Sequence, residues 1–153
     1  MDSNIKCYEV VAAVVVHNGE VLCMQKGQTP FPYTTYKWEF PGGKIELNET
    51  PEQALQRELM EEMNYPIIVH EKLCEVEYTY PDFGVHIQFF LCAPDNNQDA
   101  QIARTFTRRE HNDHQWLAPS NLCTLDWCAA DLPAAQLIVN SLMLYPAQAV
   151  ANS

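Results

Sequence analysis

The stretch GGKIELNETPEQALQRELMEEMNY, residues 42–65, sets a glycine-led loop against a helix whose start, stop and faces can all be read from residue types. Thr50 stands as N-cap with Gln53 three residues on, a capping box in which each side chain takes the other's backbone N–H. Pro51 occupies the first helical position, where its missing N–H costs nothing. Residues from Ala54 to Met63 are good helix formers. Asn64 tolerates the left-handed conformation that ends a helix, and Pro66 cannot continue it. The spacing predicts a helix over 51–63. Leu55, Leu59 and Met63 form an apolar stripe, and Glu58, Glu61 and Glu62, at i, i+3 and i+4, fall within an arc of about 100° beside it.

Three carboxylates on one face have two readings. They form a solvated acidic surface, helped by Arg57 pairing with Glu61 at i+4, or they surround a cation. Glu62 projects between Leu55 and Leu59, where partial desolvation and like charges raise a carboxylate's pKa, so something positive must compensate. The preceding loop favours the cation. Gly42 and Gly43 leave the backbone bare, so a carbonyl can approach an ion closely, and Glu46 and Glu49 add two further acids. An oxygen-only donor set suits Mg²⁺ or Mn²⁺ rather than zinc. His111 and His114 lack nearby cysteines at zinc spacing, which leaves the five histidines as surface or satisfied residues.

Outward from this segment, residues 7–16 are apolar and β-branched, and Asn18-Gly19 separates them from VLCMQK, a hairpin signal. A Pro- and Thr-rich loop, GQTPFPYTTY, leads to a short WEF. After the helix, IIVHEKLCEVEYTY (67–80) and GVHIQFFLCA (84–93) read as two strands turning at 81–84. The polar stretch 95–109 reads as a loop or weak strand, and HQWLA as a short strand. Leu137, Ile138, Leu142 and Met143 mark a helix over 132–144. Strands and helices do not alternate regularly, so the class is α+β, a mixed sheet with helices packed on it.

With 153 residues, the chain has the size of one domain over 1–153 and can bury a core without covalent staples. Its 47% hydrophobic and 19% charged residues fit an ordered domain, and a net charge of -11 repels a nucleic-acid backbone. A phosphorylated small molecule meets the same repulsion unless divalent cations invert the local charge. Six cysteines, at 7, 23, 74, 92, 123 and 128, show no CxxC pair and read as reduced core residues. Asp2, Ser3 and Asn4 precede VVAAVVV, a run far too short to span a bilayer, so neither a signal peptide nor a membrane anchor is expected and the address is the cytoplasm.

With loop and helix in place, the chain resembles the Nudix hydrolases. Their signature runs Gly, five residues, Glu, seven residues, Arg-Glu, an aliphatic, one residue, Glu-Glu, one residue, Gly, then an aliphatic. Here Gly43, Glu49, Arg57, Glu58, Leu59, Glu61 and Glu62 hold those places, Asn64 replaces the Gly, and Tyr65 replaces the last aliphatic. Asn suits a left-handed turn and Tyr offers an apolar body to bury, so both departures are expected to have small effects on stability. WEFPGGKIELNETPEQALQREL, EYTYPDFGVHIQFF and the region from Trp116 to Leu137 resemble the MutT-like branch, so the likeness covers nearly the whole chain.

The resemblance implies a mixed sheet sandwiched between helices, and hydrolysis of a nucleoside triphosphate to the monophosphate and pyrophosphate. By the same resemblance Glu61 and Glu62 coordinate a divalent cation, Mg²⁺ or Mn²⁺, with the Gly42 carbonyl, and Arg57 holds the loop through Glu49. Glu58 is either a further ligand or the group that orients and deprotonates water. Glu110, six residues before Trp116, is either a further metal-site acid or a surface residue of RREHNDH. Lys26 either contacts phosphate or is solvated. Asp131 either hydrogen-bonds the base or caps the last helix. Phe40, Tyr78 and Tyr80 either stack on the base or pack the core. The leading function is a nucleotide-pool-sanitising pyrophosphohydrolase, monomeric or homodimeric, acting on CTP-like or oxidised purine (8-oxo-dGTP) triphosphates. Alternatives are a hydrolase of a nucleotide sugar or dinucleotide, and a non-catalytic nucleotide-binding module.

Overall fold

The computed structural model describes residues 5–95 and 100–144, so the reading of Asp2, Ser3 and Asn4 lies outside the described residues. Its elements are β1 (Lys6–His17), β2 (Glu20–Lys26), β3 (Trp38–Glu39), β4 (Gly42–Lys44), α1 (Pro51–Met63), β5 (Ile67–Thr79), β6 (Phe83–Pro94), α2 (Ala100–Ala103), β7 (His111–Leu117) and α3 (Leu132–Leu144), with a 3-10 turn at Pro119–Thr124.

Strand β1 organises the rest because its apolar run is buried on both faces. Successive side chains of a strand point to opposite sides. Val11, Ala13 and Val15 accordingly join Leu22, Met24, Leu55, Leu59 and Met63 in one core, while Ala12 and Val14 join Phe89, Ala134, Ala135 and Ile138 in another. Helix α1 covers the first face and α3 the second, which makes the α+β class that the pattern of elements implied and the sandwich that the family resemblance implied. Lys6–Val15 of β1 run parallel to Phe83–Cys92 of β6, whose other edge pairs antiparallel with β5. On the opposite edge, β1 takes β4 at Val10–Ala12 and meets β2 through the hairpin at Asn18 and Gly19, both at positive φ. Strand β2 is itself the centre of an antiparallel trio, β3-β2-β7.

Two local expectations need correction. The polar stretch after Asp95, read as a loop or weak strand, is a loop over 104–110 but holds a helical turn, α2, before it. Its anchor is Tyr65, 2% exposed, whose hydroxyl donates to the Ala103 carbonyl and whose ring meets Phe106 edge-on at 5.3 Å. The residue that departs from the signature thus ties the far loop to the end of α1. The cysteines also divide: Cys23, Cys92 and Cys128 are buried and Cys74 is half-buried, but Cys7 and Cys123 are exposed and all six are free thiols. The side chains of Leu142 and Met143 lie outside the described residues. Among the described residues, no helix is long and apolar enough to cross a membrane.

Strand β4 lies so close to β1 that a Cβ on Gly42 would overlap the Val11 carbonyl and stand 2.8 Å from the Ala12 Cα. Backbone cannot step aside as a side-chain tip can. Gly42→Ala is therefore expected to cost about 3 kcal/mol and lower Tm by roughly 6–12 °C, read by thermal denaturation. A change below about 2 °C would show that β4 can move away.

Candidate active site

The loop from β4 to α1 is closed by its own side chains. Thr50 Oγ accepts from the Gln53 N–H at 3.1 Å, and the Gln53 side chain accepts from the Thr50 N–H at 3.0 Å, so the capping box is complete. Asn64 ends the helix at φ 49°, and its N–H reaches back to the helix carbonyls. Arg57 lies at the centre of the loop. Its Nε and Nη2 donate to the two oxygens of Glu49 at 2.6 and 3.0 Å, Nη2 also reaches the Lys44 carbonyl at 3.0 Å, and Nη1 reaches Glu58 at 3.1 Å and Glu61 at 3.2 Å. The guanidinium fork holds Glu49 below the usual carboxylate range, aided by the Glu46 backbone N–H that Glu49 also accepts.

Glycine at 43 has a separate reason: a Cβ there would fall within 2.7 Å of both Glu58 carboxylate oxygens. The bare backbone is the floor on which Glu58 rests. Glu58, Glu62, Glu110, Gly42 and Gly43 then line one wall of a cleft of about 1170 Å³. Burial, with Glu110 and Glu58 close by, pushes the Glu62 pKa up to about 8. The boundary position between Leu55 and Leu59 thus has the electrostatic effect its wheel position implied. Glu61 is placed differently. Its side chain is 61% exposed, is held by Arg57, and is not among the residues lining the cleft. Among the described residues, no three carboxylate, His or Cys side chains close on one point as a preformed cage. The chemistry of the donors nevertheless fits a hard divalent cation: all are oxygens, and Glu62 lacks the countercharge that would let it ionise at neutral pH.

Asp131 also lines the cleft, is 6% exposed, and its Oδ2 accepts from the Phe40 N–H at 3.0 Å. That bond spans two distant segments, and burial together with the Glu39 charge pushes the Asp131 pKa up to about 8. The first turn of α3 is instead met by the Asp131 backbone carbonyl, which accepts from Ala134 and Ala135. Phe40 and Tyr80 line the cleft, but both are core residues, Phe40 stacked on Trp127 at 4.6 Å and Tyr80 stacked on Tyr33 at 5.3 Å. Tyr78 is 39% exposed, leans on Tyr80 at 4.7 Å and does not line the cleft.

Lys26 lines the cleft as well, and its Nζ is 3.2 Å from Glu39 Oε1, while Glu39 Oε2 is 3.0 Å from His111 Nε2. Glu39 raises the Lys26 pKa. Although burial opposes it, Lys26 and His111 keep Glu39 below the usual carboxylate range. Glu39 was missed in the sequence, and His111 was read there only as a surface or satisfied residue. The available signal was a charged residue inside the otherwise apolar WEF. Nor are all histidines superficial: His17 is 4% exposed against Arg104, and among the described residues the buried Nδ1 atoms of His111 and His114 have no partner.

This sequence and fold have counterparts in known proteins. The NUDIX domain family model matches residues 8–138, and the chain belongs to that family. The CTP pyrophosphohydrolase of Escherichia coli is 30% identical over 129 residues, 84% of this chain and 89% of the relative. The 8-oxo-dGTP diphosphatase of Proteus vulgaris is 48% identical over 61 residues, 40% of this chain, and the chain spans about half (54%) of that relative's length. Among solved structures, a MutT protein of the Nudix hydrolase family from methicillin-resistant Staphylococcus aureus shares 32% identity with a TM-score of 0.67, covering 90% of this chain and 98% of that one. The ORF135 protein of Escherichia coli shares 26% with a TM-score of 0.73, covering 94% and 96%.

Proposed function

We propose that the chain, as one domain over 1–153, hydrolyses nucleoside triphosphates to the monophosphate and pyrophosphate. The proposed substrates are CTP-like or oxidised purine (8-oxo-dGTP) triphosphates in the cytoplasmic pool, and the working form is a monomer or homodimer. The observation that carries this reading is one cleft lined by the acids Glu58, Glu62 and Glu110, by the Asp131 carboxyl and by the Lys26 ammonium. A base, a sugar and a phosphate chain need those three chemistries in one space.

Mg²⁺, with Mn²⁺ as a substitute, would be held by Glu58, Glu62 and Glu110 with the Gly42 carbonyl, and by Glu61 on the neighbouring helical position. Once bound, the cation neutralises phosphate charge and lowers the pKa of a coordinated water. Glu58, fixed between Gly43 and Arg57, supplies an oxygen to that site or accepts the water's proton. Lys26 meets the phosphate chain. Asp131, protonated at neutral pH, both donates and accepts towards the base; ionised, it accepts only, as an exocyclic amine requires. Arg57 acts through Glu49 and Glu58 by keeping the loop closed.

The experiment is a nucleotide panel with Mg²⁺, comparing CTP, dCTP, 5-substituted cytosine triphosphates, 8-oxo-dGTP, nucleotide sugars and dinucleotides. Pyrophosphate released from triphosphates alone is the expected result. Two monophosphates released from a dinucleotide would transfer the assignment to that substrate class, and no turnover would leave a binding module.

A further inference from the structure

The structure assigns to Glu39 a role beyond the Nudix signature: it is a positioning residue that holds Lys26 and His111 in the lining of the cleft. The assignment rests on the nucleoside triphosphate reading above. Glu39 sits in the two-residue β3, whose backbone is pinned on both sides. Trp38 N–H donates to the Asp126 carbonyl at 2.9 Å, Cys128 N–H donates to the Trp38 carbonyl at 2.8 Å, and Phe40 N–H donates to Asp131. A carboxylate on so short and fixed a strand has a set origin.

Its two partners come from the other two strands of the trio, Lys26 from β2 and His111 from β7. Gln25 faces Asp113, but Lys26 faces His111, so a bulge drops Asn112 out of register and brings His111 opposite Lys26. Bulges re-aim side chains next to sites in this way. Both Glu39 oxygens are then used, one by Lys26 Nζ and one by His111 Nε2. An ionised carboxylate only accepts, so His111 carries its proton on Nε2 and its ring is fixed in that tautomer. The Lys26 ammonium keeps two of its three N–H groups for a phosphate chain, on a stem that would otherwise be free to swing. Holding His111 also holds the first residue of β7, next to Glu110. Glu39 acts through these neighbours, and its charge is also felt by both Glu62 and Asp131.

The test is a double-mutant cycle on pyrophosphate release from the panel's best triphosphate. Glu39→Gln is expected to lower kcat/KM about 10- to 50-fold, mainly by raising KM, and Lys26→Met to do the same. The double variant is expected to be no worse than the poorer single one, because one arrangement is lost only once. Losses that multiply, or an E39Q enzyme with unchanged KM, would overturn the role. Nitrogen NMR of the His111 imidazole gives a readout that a merely structural carboxylate would not move: a fixed Nε2–H tautomer in the parent and a mixture in E39Q, an identical tautomer in both counting against it. Should E39Q not fold, Glu39→Asp, which keeps the charge and loses the reach, is expected to raise KM in the same direction, and an unchanged KM would again refute the assignment. A parent that turns over no triphosphate removes the functional reading itself, whereas an active parent with unaffected variants removes only the role of Glu39.

Discussion

Glu62→Gln is expected to reduce pyrophosphate release by about a thousandfold or more while leaving the fold in place. The substitution keeps the shape of the side chain and deletes one formal charge from the set of acids that must bind a cation. The same change should stabilise the cation-free protein, for a reason visible in the electrostatics. Burial and the neighbouring carboxylates raise the Glu62 pKa from 4.5 to about 8, so across that interval the unfolded chain gives up a proton that the folded chain keeps. Folding therefore has its full contribution from this group below about pH 4.5 and loses it as pH rises towards 8. Gln cannot ionise and escapes that loss. In thermal melts without metal, E62Q should match the parent near pH 4.5 and exceed it at pH 8. Added Mg²⁺ should raise the parent's Tm more at pH 8 than at pH 5 and leave the variant nearly unmoved. Turnover within tenfold of the parent, or an equal Mg²⁺ response, would remove Glu62 from the metal site.

The parts legible in the sequence were those written in local chemistry. A capping box, a proline at the first turn and an asparagine stop specify α1 without reference to the rest of the molecule, and both bounds fall where the residues put them. The β1 run was legible as a strand, and its continuous apolar character carries the further fact that both faces are covered. Helical spacing placed Glu62 at a polar–apolar boundary, which is enough to raise its pKa in any packed setting.

What could not be read depends on pairings between distant segments. Glu39 and His111 are 72 residues apart and meet because β2 lies between their strands and β7 carries a bulge. No local pattern encodes that register. The Asp131 to Phe40 bond, across 91 residues, is of the same kind. Side-chain direction was the other limit. Spacing put Glu58, Glu61 and Glu62 on one arc, but Arg57 draws Glu61 towards solvent while Gly43 makes room for Glu58. Tyr78 and Tyr80, two apart in sequence, likewise differ in exposure, since β5 ends at Thr79 between them.

Arg57→Ala should have the largest effect on stability and a second, separate effect on activity. The guanidinium is only 21% exposed and satisfies Glu49, 17% exposed, and Glu58, 14% exposed, besides the Lys44 carbonyl. Removing it leaves partly buried acids facing one another with no cation, and deprives the loop between β4 and α1 of its tie to the helix side chain. Breaking such a charge network by deleting one partner costs about 2–4 kcal/mol, a fall in Tm of roughly 5–15 °C. Activity should fall by at least about a hundredfold even at temperatures where the variant is folded, because Glu58 loses the contact that fixes it over Gly43. Lys at this position would restore a charge but not the fork that spans both Glu49 oxygens, so Arg57→Lys should recover less than half of the lost stability. High Mg²⁺ should recover part of the melting temperature of R57A, since a divalent cation supplies positive charge to the same acids, but little of the rate, since it cannot close the loop. Melts and initial rates of the two variants with and without Mg²⁺ separate these effects. Full recovery by Lys would reduce Arg57 to a point charge and refute the clamp.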